Sequence, residues 1–441
     1  MSDVLIDLGV LPQDGARAAR SAPPGRSPRT NRSVLTVLTV VLIATLTGAA
    51  HRGPPEPPKI VAARLGDTLF VGSDRFYLVS AGPAPVGSAL PSKIVSTYGL
   101  PGGNLLARTP VALPGAIFDV TSVSRTILVS YQADPAGAEA TVALAAGTRT
   151  ALWRRPGRLL GRSASDGLVL LRESNPHLGN LRWRGIDLAS GAVRWQVEQP
   201  VWGYIVETGY VGRFPGQLVT VDIAGRLDVR DSATGAITAS ATIPVPPDWA
   251  RRGIALWPDG DLILVGDHAS TTAYALPDLA ERWRSPVDLY SSYIGPTCGD
   301  AVCFFSPRDD GMRVLDRATG RDRWASNRWS YADRVGPYLL AGMDGVAGTK
   351  QKLSVLDTRT GEVRGDFGRW QRIGEPQADG TVVGLREQPG TDVVRYARLN
   401  PADLSVRVLG VADHVSGDCQ TTLDVLICRR TDASVGIWPL T

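Results

Sequence analysis

A motif of about ten residues recurs along this chain at nearly constant spacing, and it constrains the fold more than any other feature. Its clearest copies are Ile186–Trp195 (IDLASGAVRW), Leu315–Trp324 (LDRATGRDRW), Leu356–Gly365 (LDTRTGEVRG) and Val229–Ala239 (VRDSATGAITA). Weaker copies add turns near residues 103, 147, 279 and 404, so eight turns follow one another at steps of 41 to 44 residues. A fixed period of this length indicates a repeat architecture built from one supersecondary unit.

Each copy of the motif predicts two strands joined by a tight turn. The aspartate that ends the first strand, such as Asp187, is placed to accept hydrogen bonds from backbone amides of the turn. A glycine then supplies the positive φ that the turn requires, and the four turn glycines are Gly191, Gly235, Gly320 and Gly361. A tryptophan closes four of the copies: Trp153, Trp195, Trp283 and Trp324. We expect these tryptophans to pack between neighbouring units.

Two further strand-like runs lie between successive copies, for example at residues 255–267 and 335–344. Four short strands in about 42 residues are typical of a propeller blade, and the apolar stripes of helical repeats are missing. The sequence therefore predicts an all-β fold, a β-propeller. Residues 411–440 supply about three more strands, which we expect to pair with Ile60–Leu65 (IVAARL) in a mixed closing blade. We predict eight blades, with seven as the alternative.

The N-terminal part of the chain predicts a membrane attachment. Residues 1–33 are polar and rich in arginine and proline, and are predicted to be a disordered cytoplasmic tail. Residues 34–50 run without a charge and are predicted to be one transmembrane helix, although 17 residues is short for a span. Residues 51–59 form a Pro-rich linker, and the propeller occupies residues 60–441. The arginines before the apolar run place the propeller outside the cytoplasm in a single-pass cell-membrane protein. A cleaved signal peptide is the alternative, since small residues end the run.

Four cysteines fall in two close pairs, Cys298 with Cys303 and Cys419 with Cys428. An even number at short separations in an exported chain predicts two local disulfides. In each pair the second cysteine lies in an apolar strand-like run, which suits a link across a hairpin. A zinc site is the alternative, but neither pair has the usual CxxC spacing.

The motif AxDxxTGxxxW resembles the PQQ-like repeat of the quinoprotein alcohol dehydrogenase-like propellers, over about residues 60–440. That family includes quinoprotein alcohol and glucose dehydrogenases and propeller lipoproteins of outer-membrane assembly. The arrangement of tail, apolar segment and propeller is similar to actinobacterial membrane-anchored PQQ-binding-like proteins. By that resemblance, a working quinoprotein needs an adjacent cysteine pair, calcium ligands and a catalytic aspartate. The chain has no adjacent cysteines and lacks the family's long insertions, so we expect neither PQQ nor calcium.

No catalytic constellation stands out in the remaining sequence. The four histidines are scattered without metal-binding spacing, and the net charge of +4 does not favour nucleic acid as a partner. Five aromatic residues lie outside the motif, several of them after the last strand of a unit, and they suggest a binding surface: Trp202, Tyr204, Trp329, Tyr331 and Trp370. We predict a monomeric, non-catalytic binding or scaffold module, tethered to the membrane, for a protein, cell-wall glycan or small ligand. The alternative is a degenerate quinoprotein or other propeller enzyme with its site at the axial channel.

Overall fold

The computed structural model describes residues 57–83, 90–175, 180–245, 254–276, 278–295, 298–306, 311–342 and 352–440. Within them, 36 strands form nine separate sheets of four strands each. The strands of every sheet are antiparallel and, in eight of the sheets, consecutive along the chain. The protein is therefore an all-β propeller with nine blades, and the predictions of eight or seven blades are wrong.

The blades follow one another along the chain, and each is one of the four-stranded sheets. Blade 1 contains β2 (Thr68–Val71), β3 (Arg75–Ala81), β4 (Ser92–Gly99) and β5 (Leu105–Ala112); blade 2 contains β6 (Ile117–Val123), β7 (Thr126–Gln132), β8 (Glu139–Ala145) and β9 (Ala151–Pro156). Blade 3 contains β10 (Arg158–Ser163), β11 (Leu168–Asn175), β12 (Asn180–Asp187) and β13 (Val193–Glu198); blade 4 contains β14 (Tyr204–Val211), β15 (Phe214–Val221), β16 (Arg226–Asp231) and β17 (Ile237–Thr242). Blade 5 contains β18 (Ala255–Asp259), β19 (Leu262–Gly266), β20 (Thr271–Ala275) and β21 (Glu281–Ser285); blade 6 contains β22 (Tyr293–Ile294), β23 (Ala301–Ser306), β24 (Gly311–Asp316) and β25 (Asp322–Ser326). Blade 7 contains β26 (Tyr331–Val335), β27 (Tyr338–Gly342), β28 (Ser354–Asp357) and β29 (Val363–Asp366); blade 8 contains β30 (Gln371–Ile373), β31 (Val382–Glu387), β32 (Val394–Asn400) and β33 (Ser405–Ala412). Blade 9 contains β34 (Val415–Thr421), β35 (Val425–Arg430), β36 (Val435–Pro439) and β1 (Lys59–Val61).

The first strand of each blade lies nearest the propeller axis. First strands of neighbouring blades contact one another, as β2 does with β6 and β14 with β18. Second strands such as β7 and β23 are almost continuously buried, and they consist of β-branched, aromatic and aliphatic residues that suit a sheet covered on both faces. Fourth strands such as β13 and β17 are largely exposed and form the outer rim.

The ninth blade explains why counting motifs gives too few blades. Each motif marks the turn between the third and fourth strands of one blade, and eight blades have that turn. In blade 9 the third strand is β36, at the end of the chain, and the fourth is β1, at its start. These two strands pair antiparallel through Lys59 with Ile437 and Val61 with Val435. The mixed closing blade predicted from the sequence is present, but it adds a blade to the eight that carry motifs.

The predicted tail, membrane anchor and most of the linker (residues 1–33, 34–50 and 51–56) lie outside the described residues. No helix long and apolar enough to cross a bilayer occurs in the described part of the chain. The linker's last residue, Lys59, begins β1.

Nine hydrophobic clusters form the core, one at each junction between neighbouring blades. Both predicted disulfides are present, Cys298 with Cys303 and Cys419 with Cys428. Three of these cysteines are buried, and Cys428 lies in the cluster between blades 8 and 9. Each disulfide therefore stabilises the inner half of a blade, in blade 6 and in blade 9.

The motif's tryptophan and glycine meet across four junctions. A Cβ atom added to the turn glycine would lie 2.5 to 2.8 Å from the indole of the preceding blade. The pairs are Trp153 with Gly191, Trp195 with Gly235, Trp283 with Gly320, and Trp324 with Gly361. Each indole Nε1 also donates a hydrogen bond of 2.8 to 3.1 Å to a backbone carbonyl of the same turn. We refer to this arrangement as the Trp–Gly contact.

The aspartate of the motif holds the turn in shape. Oδ1 of Asp187 accepts hydrogen bonds from the amides of Ala189 and Ser190, and Asp316 does the same for its own turn. Arg194 pairs with Asp187 at 2.6 Å, and its hydrogen bond holds the pKa of that carboxyl well below its usual range. The turn that receives the tryptophan is thus fixed by its own side chains.

Candidate functional site

The propeller has two ends with different loops. We call one end the connection face. It contains the starts of the first strands, the loops between second and third strands, and the connections from each blade to the next. At the other end, the turn face, lie the motif turns and the first-to-second-strand hairpins. All five aromatic residues suggested by the sequence lie at the connection face. Trp202 and Tyr204 lie at the start of β14, Trp329 and Tyr331 at the start of β26, and Trp370 just before β30.

Burial separates these five residues into two groups. Trp202 is 73% exposed, and its backbone has a φ of +58°, in the left-handed region that non-glycine residues rarely adopt. Tyr331 is 40% exposed, and Tyr204 is half-buried. Trp329 and Trp370 are buried in the clusters between blades 6 and 7 and between blades 7 and 8. These two tryptophans contribute to the core and offer no surface for binding.

Two tyrosines that the sequence analysis missed join the exposed group. Tyr290 and Tyr293 lie where blade 5 connects to blade 6, and they are 47% and 40% exposed. The ring of Tyr290 lies 4.5 Å from that of His268, and Tyr293 donates a hydrogen bond to the carbonyl of Ser330. Their position directly before a strand, in DLYSSYI, is the same signal that identified Tyr204 and Tyr331. We define the aromatic patch as Trp202, Tyr204, Tyr290, Tyr293 and Tyr331.

Electrostatics connect members of this patch. Burial raises the pKa of Tyr204, and the nearby hydroxyl of Tyr290 raises it further. Nδ1 of His268 lies 3.3 Å from Asp288, whose carboxyl also accepts a hydrogen bond from the amide of Ser291. The connecting segment that carries Tyr290 is therefore held by its own polar contacts.

A polar recess of about 400 Å³ opens at the same face between blades 8 and 9. The polar side chains that line it are Gln371, Glu387, Thr391, Asp392, Ser416 and Asp418. No arginine or lysine occurs among the described residues that line it, so the recess is acidic. Carboxylate and amide oxygens at this density favour a cationic or hydroxyl-rich ligand.

The backbone around the recess is irregular. Asp418 and His414 both have φ near +50°, and the pairing of β34 with β35 shifts register twice. Nδ1 of His414 lies 2.8 Å from Asp392, while the amide of Val415 donates to the carbonyl of Asp392 at 2.7 Å. Bulges and left-handed residues of this kind often aim side chains at functional sites. Within the described residues, no group of three or more histidine, cysteine, aspartate or glutamate side chains could hold a metal ion.

A smaller recess of about 280 Å³ lies at the turn face, lined by Asp119, Thr121, Arg162, Tyr210 and Arg213. Burial raises the pKa of the Asp119 carboxyl, and the nearby guanidinium of Arg162 offsets part of that effect. Burial also lowers the pKa of Arg162, and repulsion from Arg213 lowers it further. Nothing in the sequence FDVTSV distinguishes Asp119 from a strand aspartate facing solvent.

Comparison with known proteins assigns the chain to no family. No family model and no curated protein matches the chain. Among solved structures it is similar to BamB from Moraxella catarrhalis (15% identity, TM-score 0.40), with 87% of this chain and all of that chain covered. It is also similar to the C-terminal WD40 domain of Sif2, at 9% identity and a TM-score of 0.42, with 88% of this chain and all of that chain covered. A europium-containing methanol dehydrogenase is similar at 10% identity and a TM-score of 0.39, with 71% of this chain and 83% of that chain covered. These identities and TM-scores are too low to assign a family or a function to the chain.

Proposed function

We propose that this chain is a non-catalytic binding propeller that works outside the cytoplasm and holds its partner at the connection face. Trp202 is the observation that carries the proposal. A tryptophan exposed to 73% in a left-handed backbone costs stability in the free protein, and such residues persist where they serve binding.

The rest of the connection face supports a binding role. Tyr290, Tyr293 and Tyr331 extend the exposed aromatic surface over blades 6 and 7. Tyrosine and tryptophan supply large contact areas at low entropic cost, and they suit both protein and glycan partners. The acidic recess between blades 8 and 9 adds hydrogen-bond acceptors at the same face.

The two disulfides support the proposed location. Disulfides persist in oxidising compartments and are rare in the reducing cytosol. Every described cysteine is paired. The same four thiols in a cytosolic protein would have remained reduced.

The test is a photo-reactive residue placed at position 202 of the full-length protein in intact cells. The matched control carries the same residue at Leu423, which is 68% exposed in the hairpin between β34 and β35 at the turn face. We expect a discrete cross-linked species from position 202 and none from position 423. Equal cross-linking from both positions would contradict the proposal.

A second measurement separates binding from catalysis. The purified full-length chain is melted with cell-wall glycan fragments and, separately, with PQQ plus calcium. A ligand that binds only the native state raises the melting temperature with saturation. A saturable shift with PQQ and calcium, accompanied by dye reduction in the presence of an alcohol, would replace the binding role with a quinoprotein activity.

A further inference from the structure

At the junction between blades 1 and 2, no large side chain fills the space beside the motif turn, as it does at the other junctions with a motif turn. Ala107 occupies the position of the motif tryptophan, because it pairs with Thr97 just before a register shift, as Trp153 pairs with Ala143. The turn opposite contains Gly147, whose φ is +76°. A Cβ atom added to Gly147 would meet no atom within 4 Å.

Elsewhere the space is filled even where the tryptophan is missing. In blade 8, Leu404 replaces the turn glycine and lies against Gly365, which replaces the tryptophan of blade 7. In blade 5, Leu279 replaces the glycine and is buried in the cluster against which Ala239, at the tryptophan position of blade 4, packs. At Gly103 the side chains of Ile437 and Val61 fill the space. At the Gly147 turn the hydroxyl of Thr109 accepts a hydrogen bond of 3.0 Å from the amide of Gly147, but no side chain fills the space that an added Cβ atom would occupy.

A groove of about 840 Å³ lies at this junction. Its wall includes the apolar side chains of Pro110, Leu144 and Ala151, and it has more apolar than polar surface. Two of its lining residues, Arg108 and Arg149, lie within two residues of Ala107 and Gly147, so the groove opens beside the unfilled turn and its apolar wall can receive an apolar side chain.

The groove is also strongly basic. Arg108, Arg149 and Arg154 line it, and no aspartate or glutamate occurs among the described residues that do. Arg154 donates to the carbonyl of Ala112 and lies over the ring of Tyr131. Arg108 and Arg149 are exposed and make no hydrogen bond or ion pair with a described residue. Unpaired arginines around an apolar wall complement an acidic peptide with an aromatic anchor.

We propose that the groove between blades 1 and 2 binds an acidic segment of a partner protein, whose tryptophan takes the place that Trp153 or Trp283 occupies at other junctions. The groove is lined by residues of blades 1 and 2, whereas the aromatic patch belongs to blades 4 to 7, so the two surfaces share no residue and this proposal and the proposed function fail separately. The Trp202→Ala variant, which tests the connection face, should leave binding in the groove unchanged.

The probe is a short fluorescein-labelled peptide with one tryptophan flanked by glutamates, titrated with the full-length chain and followed by anisotropy. Two further peptides replace the tryptophan with alanine or the glutamates with glutamine. We expect Arg149→Glu to weaken binding of the acidic peptide by at least about tenfold. The matched control is Arg407→Glu on β33, an exposed arginine of blade 8, which should bind like the wild type.

A second variant tests the geometry. Ala107→Trp restores the motif residue, so we expect it to fill the space beside Gly147, raise the melting temperature and abolish peptide binding. Ala239→Trp, which would collide with Leu279, should lower the melting temperature and leave peptide binding intact. If Ala107→Trp fails to fold, the affinity of Arg149→Glu for the acidic peptide still tests the proposal.

Three results would overturn the proposal. The first is equal affinity of the wild type for the glutamate and glutamine peptides, and the second is unchanged affinity for the acidic peptide in Arg149→Glu. The third is concentration-dependent self-association of the wild type that Arg149→Glu abolishes, which would assign the groove to a second copy of this chain.

Discussion

The junction between blades 5 and 6 and the junction between blades 7 and 8 solve one packing problem from opposite sides. In the first, Trp283 of the outer strand extends toward the bare turn at Gly320. In the second, the outer strand has only Gly365, and Leu404 extends toward it from the turn. The space between blades is thus maintained while the residue that fills it changes sides.

This difference shows what the motif encodes. Protein interiors are close-packed, so a large side chain missing from one blade must be compensated by its neighbour. The fold requires a matched pair, one residue on the outer strand and one in the turn of the next blade. A search for the motif detects the pair only where the outer-strand residue is tryptophan. Ala239 with Leu279 is a second exchanged pair, and Ala107 with Gly147 is the junction where neither side fills the space.

The largest effect is expected from Trp283→Ala. It removes an indole that is only 6% exposed, together with its hydrogen bond to the carbonyl of Arg317. Large-to-small substitutions of this kind cost about 4 kcal/mol. Urea unfolding of the full-length chain measures the loss, and a cost below that of Leu404→Ala would contradict the view that the tryptophan is the stronger filling.

Gly320→Ala should be nearly as damaging. The added Cβ lies 2.5 Å from Trp283, and the φ of +66° is unfavourable for alanine. Backbone strain and overpacking together cost about 3 kcal/mol. The same urea titration detects it.

The matched control is Gly147→Ala, which has a similar φ but no neighbour within 4 Å. Only the strain of a left-handed backbone applies to alanine there, and it should lower the free energy of unfolding by about 1 kcal/mol. If Gly320→Ala and Gly147→Ala lowered the free energy of unfolding equally, the indole of Trp283 would move aside at no cost, and the Trp–Gly contact would not be tight.

Combining Trp283→Ala with Gly320→Leu recreates the Ala239–Leu279 pair at another junction. The leucine fills the space left by the indole, so the double variant should be more stable than Trp283→Ala by about 1 to 2 kcal/mol. A double-mutant cycle measures the coupling. If the stability losses of Trp283→Ala and Gly320→Leu simply added in the double variant, the exchanged pairs would depend on further substitutions in their own blades.

Much of this architecture can be predicted from the sequence, and the exceptions have physical causes. Strand, turn and glycine positions follow from local chemistry, and the disulfides follow from spacing. The blade count was wrong because β36 and β1 lie at opposite ends of the chain, where no turn motif can form. The burial of Trp329 and Trp370 depends on contacts with the adjacent blade, and Asp119 lies in a recess that three blades build together. Neither is a local property of the sequence.

The smallest effects concern protonation. In the motif turn of blade 6, Arg323 and Thr319 hydrogen-bond Asp316 and hold its pKa below the ordinary value of 3.8. That stabilisation is present above the pKa of the unfolded chain and is lost as the pH falls through the lower folded pKa. Asp316→Asn should therefore melt below the wild type at pH 7, and the difference should shrink at pH 3.

Asp119 should show the opposite sign, because burial raises its pKa. The unfolded chain releases this proton at a lower pH than the native protein does. The native state therefore loses stability as the pH rises from the unfolded to the folded pKa. Asp119→Asn should melt above the wild type at pH 7 and alongside it at pH 3. If both variants shifted the melting temperature in the same direction at pH 7, Asp316 of the motif turn and the half-buried Asp119 beside Arg162 would not differ in the sign of their effect on stability.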